Sequence, residues 1–173
     1  MLLRAVAALL FGAVTIFWAG PSVQVMGWSG GLYLLVTGLL LLWAIPMTGY
    51  PRDRMPGKIL SAAGAALAGA GVASVMLPGD RVFGVVTALG LGLAGAVELY
   101  CGLRYHGRHV LARDWLASGI IGLGTAAILP FSISLGAHAL LGVAGGGAII
   151  SGVLWVLSGL TLRHDSRPAT AKP

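Results

Sequence analysis

The middle of the chain, residues 58–104, reads KILSAAGAALAGAGVASVMLPGDRVFGVVTALGLGLAGAVELYCGLR. Two apolar runs, 58–77 and 82–103, are joined by the short link Pro78-Gly79-Asp80. Each run has roughly 20 residues, the length that an α-helix needs to cross a hydrocarbon core of about 30 Å. Proline lacks a backbone N–H and restricts the residue before it, so it suits the turn between two helices. This stretch therefore predicts a helical hairpin that crosses a membrane twice.

The same pattern stands on both sides of this hairpin. Four further apolar runs lie at roughly 5–20, 30–46, 115–131 and 138–160, and proline-containing links join them in pairs at Gly20-Pro21-Ser22 and Pro130-Phe131-Ser132. The sequence thus predicts an all-α, polytopic membrane protein with six transmembrane helices arranged as three helical hairpin repeats. The predicted hairpins span about 3–46, 58–104 and 112–162, within a single six-helix transmembrane domain, 1–162. We expect residues 163–173 to form a disordered cytoplasmic tail.

The composition agrees with lipid as the main solvent. Hydrophobic residues make up 57% of the chain and charged residues only 9%, whereas a soluble domain carries about a quarter charged residues. The net charge of +6 does not indicate a nucleic-acid partner, because the cations flank apolar runs instead of forming a basic stripe. We expect the partners to be the lipid bilayer and its anionic headgroups on the cytoplasmic side.

The cations also predict the orientation. Ten of the eleven Lys and Arg residues lie in the N-terminal segment, in the second and fourth links and in the tail, and the other segments hold only Arg81. An excess of cations in cytoplasmic segments is the positive-inside rule, so both termini are predicted to be cytoplasmic. On this topology Trp18, Trp28 and Tyr33 are expected at the outer interface, where aromatic belts form.

Glycine recurs at matching places in the three hairpins. A glycine follows the link proline by seventeen residues each time, at Gly38, Gly95 and Gly147. Small residues four apart let helices approach closely in a bilayer. Faces of this kind pass through Gly69, Gly92, Gly142 and Gly146. We interpret them as packing faces inside one bundle; the alternative is a homo-oligomer seam, with Gly142 and Gly146 the first face to test.

Three polar residues are candidate functional residues. Glu98 is the only acidic residue well within a predicted span, where an ionised carboxylate costs about 2.5–3.5 kcal/mol or more. It is predicted to be either a functional residue, as a proton acceptor or the counter-charge for a cation, or a residue near the cytoplasmic end of its helix that reaches the interface or pairs with Arg104. His138, at the outer end of the last span, is a candidate sensor of external acid, since imidazole titrates near pH 6.5; the alternative is an interfacial anchor.

Several motifs resemble the HdeD-like small membrane proteins, a bacterial family built from short repeats. They are Arg4-Ala-Val-Ala-Ala-Leu-Leu-Phe-Gly12 running to Pro21, Glu98-Leu-Tyr-Cys-Gly-Leu-Arg104, and Trp115-Leu-Ala-Ser-Gly119-Ile-Ile-Gly122. The resemblance covers most of residues 3–163. It implies a multi-pass protein of the bacterial inner (plasma) membrane that is associated with acid resistance and the stress response.

No set of residues indicates catalysis. The predicted spans hold no Asp/His or Glu/His cluster of the kind that an intramembrane enzyme needs. The single cysteine, Cys101, excludes an internal disulfide, and we predict no cofactor and no metal site. The sequence therefore predicts a non-enzymatic membrane protein, linked to acid or envelope stress through the resemblance. The alternative is a small transporter or channel component with a proton-linked Glu98.

Overall fold

The computed structural model describes residues 2–48, 55–107 and 111–165, and the secondary structure in these ranges is helical. The α-helices are α1 (Leu2–Phe17), α2 (Val23–Ala44), α3 (Met55–Met76), α4 (Asp80–Arg104), α5 (Ala112–Ser132) and α6 (Ala137–Asp165). Short 3-10 segments follow α2 at Ile45–Thr48 and α5 at Ile133–Leu135. The all-α prediction is confirmed for the part of the chain that the structure describes.

The five helices from α2 to α6 are long and apolar enough to cross a membrane. Helix α1 is shorter, with 16 residues, which gives a length of about 24 Å. Large apolar side chains cover the outside of the bundle, among them Leu10, Trp43, Leu89, Ile120 and Leu157. A continuous apolar exterior is the surface that a bilayer requires, because only lipid solvates it well.

The six helices form a closed ring. The most extensive contacts join α2 to α3, α4 to α5 and α6 to α1, and the contacts within α1–α2, α3–α4 and α5–α6 complete the circuit. Helices α2, α4 and α6 also touch one another. These three therefore occupy the centre of the bundle, and any interior site is built mainly on them.

The predicted start of α2 was wrong for a local reason. Helix α2 begins at Val23 and not near residue 30, because Ser22 caps it: the Val25 N–H donates to Ser22 Oγ over 3.2 Å. Helix α6 continues to Asp165, past the predicted end of the transmembrane domain at residue 162. The remainder of the predicted tail, 166–173, lies outside the described residues.

The turn between α5 and α6 also differs from the prediction. Pro130 lies inside α5, which continues to Ser132, and the chain reverses later, at Gly136. Gly136 has φ = 82°, a left-handed conformation that L side chains rarely adopt. The glycine, and not the proline, therefore makes this turn.

The helix-packing prediction was wrong for three of its four glycines. A methyl group added at Gly69, Gly142 or Gly146 would meet none of the described residues of other elements within 4 Å. Gly92 makes only an ordinary contact of 3.5 Å with the Ala126 side chain. Gly69, Gly142 and Gly146 therefore lie on no close contact between the described helices, and the homo-oligomer seam at Gly142 and Gly146 stays a prediction.

The close helix contacts recur after seven residues as well as after four. A Cβ atom built at Gly27, four residues before Gly31, would lie 2.7 Å from Ser74 O of α3. In the α2–α3 contact, Cβ atoms built at Gly31 and Gly71 would lie 2.7 and 2.5 Å from the other glycine's carbonyl oxygen. Seven residues further along α2, a Cβ atom at Gly38 would lie 2.6 Å from Gly64 O, and one at Gly64 would lie 3.1 Å from Gly38 O. The α4–α5 contact has the same backbone pairs, with Gly95 on Gly119 and Gly102 on Ala112. In the α6–α1 contact the seven-residue spacing returns, but Gly145 and Gly152 meet side chains there, those of Thr15 and of Ala8 and Leu9.

Candidate functional site

A buried ion pair joins α1 to α4. Arg4 Nη2 donates to Glu98 Oε1 over 2.9 Å, and the two residues are only 7% and 3% exposed. A carboxylate and a guanidinium leave water only at a large cost, which their attraction offsets when the geometry is good. Each of these charges therefore depends on the other for its place inside the bundle.

A cation–π contact positions the Arg4 guanidinium, and a hydrogen bond positions the ring that it contacts. The Arg4 guanidinium carbon lies 4.2 Å from the centre of the Trp155 ring, which is a cation–π contact. Trp155 Nε1 in turn donates to Ser118 Oγ over 2.7 Å. Arg4, Glu98, Ser118 and Trp155 thus link α1, α4, α5 and α6 through one polar cluster.

A small cavity of about 40 Å³ lies beside this cluster. Its polar lining consists of Arg4, Tyr33, Thr37, Glu98, Ser118, Ser151 and Trp155. A cavity needs about 10–15 Å³ to hold one water molecule, so this one can hold up to about three. It is far smaller than the roughly 300–1,000 Å³ of sites that bind organic ligands.

Two buried polar atoms on the wall of this cavity lack a hydrogen-bond partner. They are Arg4 Nε and Thr37 Oγ1, and the second belongs to a side chain only 3% exposed. Buried polar atoms in proteins are almost always paired, with water where no protein group is in reach. Arg4 Nε can therefore donate a hydrogen bond, and Thr37 Oγ1 can donate or accept one, to a water molecule or a small ion in the cavity.

Tyr33 separates the cavity from the outside of the bundle. It is buried inside the bundle, and its ring stacks on Phe11 with 4.5 Å between centroids and 6° between planes. The same two rings line an almost wholly apolar groove of about 330 Å³ between α1 and α2. The tyrosine therefore presents one side to the polar cavity and the other to an apolar surface.

A second polar contact was not anticipated. Asp114, in the first turn of α5, is buried, and it accepts a hydrogen bond from Ser158 Oγ of α6. A carboxylate in the first turn of a helix is favoured by the partial positive charge of that end. Asp114 therefore fixes α5 against α6 near the Trp155–Ser118 bond.

The structure does not bring the three predicted site residues together. Glu98 pairs with Arg4, while Arg104, the last residue of α4, is exposed. The predicted partnership of Glu98 with Arg104 is therefore wrong. His138 is exposed at the start of α6, away from the cavity, and its role as an acid sensor stays a prediction.

The sequence reasoning missed the partner of Glu98. Arg4 precedes a long apolar run, so the positive-inside pattern accounts for it as an orientation signal and does not point to Glu98. The distinguishing feature of Arg4 is that, unlike the clustered cations of the basic links, it stands alone among apolar residues. Two lone opposite charges bordering or within apolar helices are a signal for an interior ion pair.

No family model, no curated protein and no solved structure matches this chain.

Proposed function

We propose that the chain crosses the bacterial inner membrane six times, as three hairpins with both termini in the cytoplasm. The support for α1 as a sixth span is its extensive contact with α6, in which Gly145 and Gly152, seven residues apart, both pack against side chains of α1. A helix of about 24 Å can span a bilayer that thins locally or through snorkelling of its flanking residues.

Reporter fusions test this topology. A fusion after Arg163 is expected to report the cytoplasm, one at Gly79 the outside, and one at the N-terminus the cytoplasm. The N-terminal fusion separates the alternatives: if α1 does not cross, five spans with a cytoplasmic C-terminus place the N-terminus outside. A fusion at Gly20 is the internal control, because it reports the outside under both topologies.

We further propose a non-enzymatic role in acid or envelope stress tolerance, as the HdeD-like resemblance implies. The observation that supports a non-enzymatic protein is the Arg4–Glu98 pair, because the Glu98 carboxylate is bonded to Arg4 and is not free to act on a substrate. The cavity beside them is also too small for an organic substrate.

Complementation tests the stress role. Deletion of the gene is expected to lower survival at acid pH, and the wild-type gene is expected to restore it. The Glu98→Gln variant is expected not to restore it, because a neutral amide leaves Arg4 without its counter-charge. Arg104→Gln, an exposed position on the same helix, is the matched control and should complement fully. Normal acid survival of the deletion strain would refute the role.

A second candidate is a small transporter or channel component in which Glu98 carries protons. One observation favours it: the Glu98 carboxylate lines a cavity large enough for water, and water can relay protons. Proton flux into proteoliposomes, compared for wild type and Glu98→Gln, distinguishes the candidates. Flux that disappears in the variant would replace the non-enzymatic proposal with this one.

A further inference from the structure

The molecule or ion that occupies the cavity beside Arg4 and Glu98 has to accept a hydrogen bond. An arginine Nε–H can donate but never accept, and Arg4 Nε has no partner among the described residues. Arg4 Nε can be satisfied only by an acceptor, such as a water oxygen or an anion, and Thr37 Oγ1 on the same lining can supply a second donor.

The charge of Glu98 determines whether the cavity binds water or an anion. While Glu98 is ionised, the pair carries no net charge, and its carboxylate repels a second anion from a cavity that it lines itself. When Glu98 takes up a proton, the buried guanidinium keeps its charge, since arginine is never deprotonated in proteins. A buried cation without a counter-charge is costly, and an anion in the cavity would remove that cost.

We propose that the cavity beside Arg4 and Thr37 holds water while Glu98 is ionised and binds a small monovalent anion, such as chloride, when Glu98 is protonated. The volume of about 40 Å³ admits a monatomic anion and excludes organic anions such as gluconate. By thermodynamic reciprocity, anion binding favours protonation of Glu98 by the same factor as protonation favours the anion.

Arg4 is the one charged side chain beside Glu98 among the described residues that line the cavity. Among the described residues, α1 contributes Arg4, α2 contributes Tyr33 and α4 itself contributes Cys101 one turn away. Helices α3 and α6 place no acidic or basic side chain on the cavity wall, and Asp114 of α5 lies outside it, bonded to Ser158. Proton uptake by Glu98 therefore leaves one unbalanced positive charge.

Thermal unfolding of the purified protein in lipid nanodiscs tests the proposal, with sodium chloride compared with sodium gluconate at equal ionic strength. Chloride should raise the Tm of the wild type at acid pH and leave it unchanged at neutral pH. Glu98→Gln, which is neutral at every pH, should gain from chloride at both. Anything that binds only the folded state raises stability in this concentration-dependent way.

Thr37→Val in the Glu98→Gln background should raise the half-saturating chloride concentration by about tenfold, the value of one hydrogen bond to a charged group. Thr87→Val is the matched control. Thr87 is also buried, at 1% exposure, and its Oγ1 also lacks a partner, but it does not line the cavity. Its double variant should keep the chloride response of Glu98→Gln.

A wild-type chloride response that is equal at neutral and acid pH would overturn the proposal, as would an unchanged response in the Thr37 double variant. If Glu98→Gln can be purified folded in chloride but not in gluconate, this supports the anion site. If it folds in neither salt, Thr37→Val in the wild-type background at acid pH decides, and an undiminished chloride response there counts against the site.

Discussion

Glu98→Ala is expected to lower the free energy of unfolding by about 3–5 kcal/mol, the usual cost of removing one member of a buried ion pair. The Arg4 guanidinium, 7% exposed, would remain in the interior without the carboxylate that accepts its hydrogen bond at 2.9 Å. Reversible unfolding in mixed micelles gives this free energy. Arg104→Ala, at an exposed position six residues along the same helix, should change it by less than about 0.5 kcal/mol.

A double-mutant cycle separates the pair from general damage to the core. Arg4→Met with Glu98→Ala removes both charges, so the double variant should be more stable than Glu98→Ala alone. Residues that interact directly show coupling of about 0.5–3 kcal/mol or more, whereas independent sites add. Additive effects of the two changes would mean that the 2.9 Å contact contributes nothing to stability.

The pair also shows what a single sequence reveals about this interior. Glu98 was identifiable because an acidic side chain within an apolar helix has few acceptable environments. Its partner was not, because Arg104 on the same helix and Arg4, 94 residues away, both satisfied the charge requirement. Arg4 reaches the carboxylate because α1 packs against α6, which closes the ring of helices, and α6 in turn contacts α4. Such closure depends on contacts between the two ends of the chain, which local patterns do not encode.

The helices were predictable for a different reason. Apolar runs of roughly 20 residues and proline or glycine links are local properties, and the structure has helices at all six places. The errors were local too: the Ser22 cap lengthened α2, and Gly136 replaced Pro130 as the turn residue. The identity of the glycines that face a neighbouring helix is not a local property of the sequence. The four-residue spacing predicts faces through Gly69, Gly142 and Gly146, and these glycines meet no other element among the described residues.

Antiparallel helices that stay in contact over two turns repeat their contact every seven residues, because 3.6 residues make one turn. The pairs Gly31 with Gly38, and Gly64 with Gly71, satisfy this rule in α2 and α3. The glycines that follow each proline by seventeen residues gave only part of it: Gly38 and Gly95 lie on such contacts, but Gly147 instead faces the Thr125 side chain. The pattern that indicates a helix contact is a pair of glycines seven residues apart on each of two neighbouring helices.

Gly71→Ala is expected to destabilise the bundle by about 1–3 kcal/mol, the usual cost of overpacking. The new methyl group would lie 2.5 Å from Gly31 O and 2.5 Å from Leu35 N, both backbone atoms that cannot move aside as a flexible side chain would. Helices α2 and α3 would have to separate, and the neighbouring pair Gly38–Gly64 would lose its contact. The loss should appear although alanine is the better helix former by about 1 kcal/mol.

Gly69→Ala is the matched control on the same helix, two residues away. Its methyl group would meet no atom of another element within 4 Å, so the only expected effect is the gain in helix propensity. The two variants have the same composition and the same predicted helicity, and they differ only in the face that carries the methyl group. Equal stabilities in reversible unfolding would therefore mean that α2 and α3 do not pack through Gly31 and Gly71. A loss confined to Gly71→Ala would instead place the interhelical contact on Gly31 and Gly71 and not on the face through Gly69.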